Sequence, residues 1–243
     1  MKKHIPNIIT LLNLISGVSG IISAINGHWE LAFWLMIAGA GFDFFDGMVA
    51  RLLKVSGPLG AQLDSLSDMV TFGVLPSIIM YKLILNSSTP IVNYEIMDVR
   101  VFPMIAFIIA ALSGLRLAKF NIDDRQTSSF IGLPTPANAL FIGALSYASY
   151  SICHCEVFHK IISNAYFLGT LSIVLSYILV AELPLFALKF KNLSWSDNKI
   201  RYIFLSISVL LLIVFYQWMY MAILIIIPLY VLMSIAHNLL SKK

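Results

Sequence analysis

The sequence predicts an all-α, polytopic membrane protein, and three observations carry that prediction. Of the 243 residues, 59% are hydrophobic and only 12% are charged. Mean hydropathy is +0.89. Apolar runs of about 20 residues, the length that crosses a bilayer, recur along the whole chain. Soluble domains carry about 25% charged residues, so a soluble globular fold is excluded. The net charge of +4 is no nucleic-acid footprint, because the basic residues sit at the ends of apolar segments and not in one patch.

Eight spans are predicted, at roughly 6–26, 31–53, 60–85, 99–118, 135–152, 161–188, 200–216 and 218–238. The opening MKKHIPNIITLLNLISGVSG has the basic start and apolar run of a signal peptide. Asn7, Thr10 and Asn13 interrupt that run, and it reads as a retained first helix. The connections at Asn26–Glu30 and near Gln217 are short and predict antiparallel hairpins. Polar loops occupy 86–98 and 119–134. The segment 189–199 separates six spans, a core over residues 1–190, from two accessory C-terminal spans in 191–243 that hold few polar residues. Gly17 and Gly20 are predicted helix-packing positions, and Trp34, Trp195 and Trp218 interfacial belt residues.

Orientation follows from the basic residues. With the N-terminus in the cytoplasm, Lys2, Lys3, Arg51, Lys54, Arg116, Lys119, Arg125, Lys189, Lys191, Lys199, Arg201, Lys242 and Lys243 all fall inside. Only Lys82, Arg100 and Lys160 fall outside.

Function is concentrated in DFFDGMVARLLKVSGPLGAQLDSLSD, Asp43 to Asp68. Asp43 and Asp46 are spaced i, i+3 and Asp64 and Asp68 i, i+4, so each pair shares a helix face. The short loop near Lys54–Pro58 brings the two pairs together at the predicted cytoplasmic surface. Two carboxylates about 4 Å apart repel by roughly 4 kcal/mol at an effective dielectric of 20, and acids within a membrane carry a desolvation penalty too. A cation belongs there, and oxygen-only ligands suit a hard divalent ion. Such ions could be bridged by a pyrophosphate, Arg51 could grip phosphate in bidentate fashion, and one aspartate could take a proton from an attacking hydroxyl. Intramembrane acids also mark ion and proton pathways; the residues alone leave metal-assisted phosphoryl-type transfer and transport both open.

The same stretch resembles the CDP-alcohol phosphotransferases, whose pattern D-x2-D-G-x2-A-R-x8-G-x3-D-x3-D it fits without a gap. Asp43, Asp46, Gly47, Ala50, Arg51, Gly60, Asp64 and Asp68 occupy every fixed position. The resemblance implies a six-helix core over about residues 1–190, usually a homodimer, that transfers a substituted phosphate from a CDP-linked donor to an alcohol and releases cytidine monophosphate. By the same resemblance Asp43, Asp46 and Asp64 bind metal, two Mg²⁺ or Mn²⁺ ions per site, while Asp68 is a metal ligand and the general base. Gly47 and Arg51 would contact the nucleotide diphosphate. Some relatives carry a serine six residues after the arginine; Gly57 stands there, beside Ser56.

Flanking residues narrow the resemblance. IPNIITLLN matches the P-N-x-x-T start of the family's first span, where Asn7 and Thr10 would line the cytidine end. RLAKFN (Arg116–Asn121) and GLPTPANA (Gly132–Ala139) resemble the membrane-integrated bacterial phosphatidylserine synthases, apart from Lys119 in place of a usual arginine. That subfamily implies CDP-diacylglycerol as donor and L-serine as acceptor in the bacterial inner membrane. A zwitterionic amino acid needs a cation for its carboxylate, and Arg116 with Asn121 are the candidates; a topology anchor is the plainer role for a basic helix end. Pro134 and Pro136 shape the approach to span five. The alternatives are glycerol 3-phosphate as acceptor, or a transporter using the acids for ions. CHCEVFH (Cys153–His159) is too tightly spaced for a usual zinc site and reads as a solvated loop; Glu182 could face a polar cavity or reach water.

Overall fold

The structure, a computed structural model, describes residues 4–55, 57–89, 95–96, 99–122, 129–151, 156–186 and 194–241. Its helices are α1 (Ile5–Ile25), α2 (Trp29–Leu53), α3 (Pro58–Asp68), α4 (Leu75–Leu85), α5 (Phe107–Ile122), α6 (Thr135–Ser151), α7 (Glu156–Ile162), α8 (Ala165–Val180), α9 (Trp195–Val214) and α10 (Met219–Ser241). A π-helical segment, Met69–Val74, joins α3 to α4, and a 3-10 turn, Phe102–Ala106, leads into α5. Two small antiparallel ladders complete the described residues: β1 (Glu95–Ile96) with β2 (Val99–Arg100), and β3 (Ser129–Ile131) with β4 (Pro184–Phe186), Phe130 opposite Leu185.

Five helices, Ile5–Ile25, Trp29–Leu53, Pro58–Leu85, Phe102–Ile122 and Tyr216–Leu239, are long and apolar enough to cross a membrane. The other three predicted spans are helical but fall short of those criteria for identifiable reasons. α6 has 17 residues and α8 has 16, and α9 has Asp197, Lys199 and Arg201 in its first two turns. The predicted sixth span, 161–188, is too long. Asn164 caps α8 by accepting from the Phe167 N–H at 3.1 Å, and past Val180 the chain turns into β4, which begins at Pro184. The predicted fourth span begins late, since Val99 and Arg100 are committed to β2.

Sidedness within α1 explains why the helices assemble. Its buried residues are Pro6, Thr10, Asn13, Ser16, Gly17, Gly20, Ser23 and Ala24, a stripe at helical spacing. Ile8, Leu11, Ile15, Val18 and Ile22 face outward. The small and polar face is inside and the apolar face outside, as expected where lipid is the solvent and close backbone approach drives helix association. α1 packs along α2, α3, α4 and the π segment. A Cβ on Gly17 would lie 2.9 Å from the Thr71 Cα, and one on Gly20 2.7 Å from Leu75 Cδ2, so both glycines are close-approach positions.

The turn between α2 and α3 positions the site. Lys54 takes a left-handed conformation (φ 52°, ψ 39°) and ends α2, with the Val55 N–H donating back to the Ala50 carbonyl at 3.0 Å. Gly57 is extended and Pro58 opens α3, where its missing N–H costs nothing. α2 therefore ends and α3 begins within a few residues, and α1 packs against both helices.

The last two helices are not detached. α10 packs on α6 and α9, and Tyr230 closes a cluster with Leu133, Leu185, Phe186 and Phe204. The Tyr230 hydroxyl donates to the Phe186 carbonyl at 2.9 Å.

Gly17→Ala should lower stability by about 1–3 kcal/mol, the cost of overpacking a filled contact. A Cβ on Gly41 would meet nothing within 4 Å, so Gly41→Ala should hold or raise stability by up to about 1 kcal/mol. Thermal unfolding midpoints of the detergent-solubilised variants check the contrast.

Candidate active site

The last turns of α2 carry Asp43 and Asp46, and α3 carries Asp64 and Asp68. One carboxylate oxygen each from Asp43, Asp64 and Asp68 lie within 4.8 Å of one another, all three side chains half-buried. Asp46 is not one of these three but lines the adjacent cavity together with Asp64. It is buried, and its Oδ2 lies 2.6 Å from the Thr10 hydroxyl. That hydroxyl is also 3.1 Å from the Pro6 carbonyl; with one proton to give, it serves the shorter, charged acceptor.

α1 supplies a second donor that sequence reading did not assign to the site. Asn13, fully buried, donates from Nδ2 to Asp68 Oδ1 at 3.1 Å. Its own carbonyl accepts from the Thr71 hydroxyl at 3.0 Å, which locks α1 onto the π segment. The available signal was spacing: Asn7, Thr10 and Asn13 recur every three residues along one side of α1.

Those two donors leave most of the carboxylate lone pairs open. Asp64 Oδ1 is buried with no hydrogen-bond partner. Three acids this close, with orphaned oxygen and little solvent, form a hard, all-oxygen donor set that fits a divalent ion and suits nothing neutral. Asp43, Asp64 and Asp68 could hold a metal ion.

A cavity of about 650 Å³ opens beside them. Asn7, Thr10, Asp46, Gly47, Gly60 and Asp64 line it, joined by His4, Lys54 and Gly57. Gly47 leaves open space where a Cβ would stand, and a Cβ on Gly60 would lie 3.5 Å from the Asn7 side-chain oxygen. The predicted donor-side residues Asn7, Thr10 and Gly47 are thus brought together. Arg51 is not among the lining residues; it is exposed on α2, and Lys54 is the basic residue that borders the cavity. Lys54 was read from sequence for topology; its backbone is left-handed where α2 ends.

Of the two predicted acceptor residues, the structure buries Arg116 and exposes Asn121. Arg116 lies within electrostatic range of Asp68 and Tyr230, and its Nη1 donates to Thr135 Oγ1 at 3.4 Å. Asn121 pairs with Ser65 at 2.9 Å, at an exposed position on α5. Glu182 is exposed. Lys2, Lys3, Ser56, Arg125, Cys153, Cys155, Lys189, Lys191, Lys242 and Lys243 lie outside the described residues.

A profile of the CDP-alcohol phosphatidyltransferase family matches residues 3–181. With nearly three-quarters of the chain matched and the acids at the heart of that region, the chain belongs to this family. Among curated relatives, the CDP-diacylglycerol–serine O-phosphatidyltransferase of Bacillus subtilis (strain 168) is 35% identical over 145 residues, 60% of this chain and 76% of the relative. The enzyme of that name from Helicobacter pylori (strain J99) is 34% identical over 139 residues, 56% of this chain and 54% of its own length. The archaetidylserine synthase of Methanothermobacter thermautotrophicus is 34% identical over 144 residues, 58% of this chain and 56% of its own. The chain thus aligns with three-quarters of the first relative and about half of each of the other two.

Asp43→Asn should abolish high-affinity Mn²⁺ binding, read by the electron paramagnetic resonance of free Mn²⁺. Asn13→Ala, which removes only a hydrogen bond to a ligand, should weaken it by about 10- to 100-fold.

Proposed function

We propose that this protein transfers the phosphatidyl group of CDP-diacylglycerol to the hydroxyl of L-serine, releasing cytidine monophosphate. The observation that carries this reading is the meeting of Asp43, Asp64 and Asp68 within 4.8 Å, on the family's own segment and beside a cavity sized for a nucleotide head. Relatives named for the serine reaction support the choice of acceptor.

In this reading Asp43, Asp46, Asp64 and Asp68 are the metal site. Bound Mg²⁺ or Mn²⁺, one or two ions, would neutralise the diphosphate and ease departure of the nucleotide. Asp46 would offer such an ion the oxygen that Thr10 leaves free. Asn7, Thr10 and Gly47 shape the cytidine and diphosphate end, with Lys54 at its border and Arg51 at the water-facing side. Asp68, steadied by Asn13, takes the serine hydroxyl proton. The serine oxygen then bonds to the phosphorus that carries diacylglycerol, and the bond from that phosphorus to the cytidine monophosphate oxygen breaks. Arg116 sits near Asp68, where an acceptor's carboxylate needs a cation; Asn121 is placed further out, beside Ser65.

The acids lie at the same end of the helices as Arg51, Lys54, Arg116 and Lys119, which supports a site on the cytoplasmic face of a bacterial inner membrane. The diacylglycerol tails stay in the bilayer. A homodimer, and a division at residue 190 between a catalytic core and two supporting helices, complete the proposal.

Purified protein given CDP-diacylglycerol, Mg²⁺ or Mn²⁺ and labelled serine should form phosphatidylserine and cytidine monophosphate in equal amounts. Product from glycerol 3-phosphate instead would make it a phosphatidylglycerophosphate synthase; ion flux without transfer would make it a transporter. Asp68→Asn should cut kcat by about 10²–10⁴-fold, the worth of a general base, while CDP-diacylglycerol binding persists.

A further inference from the structure

Among the buried polar groups without partners outside the three clustered acids, those on α5 and α6 include an arginine and an amide lacking both of its partners. Asn138 is fully buried, and neither its side-chain nitrogen nor its side-chain oxygen has a hydrogen-bond partner. Ser113 is fully buried with its hydroxyl unpartnered, and Arg116, 8% exposed, has an unpartnered Nε. Leaving one such group unmade costs about 1–3 kcal/mol. Repeated over two neighbouring helices, this cost calls for a partner.

These groups belong together. Ser113 and Arg116 are spaced i, i+3 on α5, and Thr135 and Asn138 are spaced i, i+3 on α6, so each pair shares a face. The Arg116–Thr135 hydrogen bond ties the two faces to each other. Both helices pack on the π segment that follows Asp68, and a Cβ on Gly73 of that segment would lie 3.2 Å from the Ser113 Cβ. Arg116 is in electrostatic range of Asp68 itself.

We propose that Asn138 is a specificity-determining residue for the acceptor, its buried amide and the Arg116 guanidinium together reading a small zwitterion that carries a hydroxyl. An amide offers two N–H donors and a carbonyl acceptor. The carbonyl takes the acceptor's ammonium, while Arg116 and the amide N–H groups take its carboxylate, leaving the hydroxyl to Asp68. A dianionic phosphate would ask for a second buried cation, and Arg116 is the only lysine or arginine buried among the described residues. Removing either charge from the acceptor strands a buried partner, which is how polar sites reject close analogues.

The inference rests on the serine-transfer reading, and full-length protein in detergent with CDP-diacylglycerol and Mn²⁺ tests it. Wild-type protein should prefer L-serine over 3-hydroxypropanoate, which lacks the ammonium, by about tenfold or more in kcat/KM. Asn138→Leu should raise KM for serine by about 10- to 100-fold, keep KM for CDP-diacylglycerol, and bring the two acceptors to within a few-fold of each other. Asn138→Ser carries the same test if the leucine variant loses its thermal transition. The proposal is overturned if wild-type protein uses both acceptors equally, if either variant keeps the wild-type preference, or if acceptor and donor KM rise together. No serine transfer by wild-type protein, with transfer to another alcohol, would instead overturn the parent reading and leave the role of Asn138 to be asked of that alcohol.

Discussion

Mutual repulsion among acids in a poorly solvated place is the constraint on which the rest depends. Asp43, Asp64 and Asp68 converge within 4.8 Å, and nothing about an apolar helical bundle favours that on its own. Their approach depends on the short link between α2 and α3 and on α1, which packs against both helices. Thr10 and Asn13 then supply neutral donors, enough to orient Asp46 and Asp68 but too few to satisfy the group. Undersatisfaction of this kind leaves three acids able to hold a cation, at a place where three helices meet.

Much of this was legible in the sequence, for a physical reason. Carboxylates in apolar surroundings are costly, so their spacing carries information, and i, i+3 and i, i+4 separations project directly onto helix faces. Hydropathy likewise placed helix at each of the eight predicted spans. It missed the division of the third by the π segment, and α7 (Glu156–Ile162) is helical where the end of CHCEVFH was read as a solvated loop. What escaped were directions and neutral partners. Asp46 turns to Thr10 because of where α1 crosses α2, which no local pattern encodes. Asn13 and Asn138 are single amides within apolar runs, and such a residue reads alike whether it binds a ligand, a neighbour or nothing. Arg51 fills its position in the family pattern, yet it is Lys54, one residue past the helix, that borders the cavity. The span ends were blurred where short ladders and Pro184 replace helix that hydropathy alone would continue.

The two C-terminal helices also gain meaning from packing. Their sequence looks like generic membrane helix, and the family match ends at residue 181. Tyr230 nevertheless reaches the neighbourhood of Arg116 and anchors to the Phe186 carbonyl. α10 thereby forms a wall behind α6, and the residues on either side of the matched region share one core.

The π segment after Asp68 has a consequence for how this fold can change over time. A π turn accommodates one more residue than the α-helical turn it replaces, so Met69–Val74 absorbs a residue while keeping the acids before it nearly in phase with Leu75 and Ile79, which are buried in the bundle. Deleting a single residue there, with a return to regular α winding, would leave that phase nearly unchanged, whereas a deletion from the α-helical turns on either side would swing the acids through about 100° relative to those buried residues. The length of this helix can therefore change within the π segment at less cost to the site than in the α-helical turns that flank it.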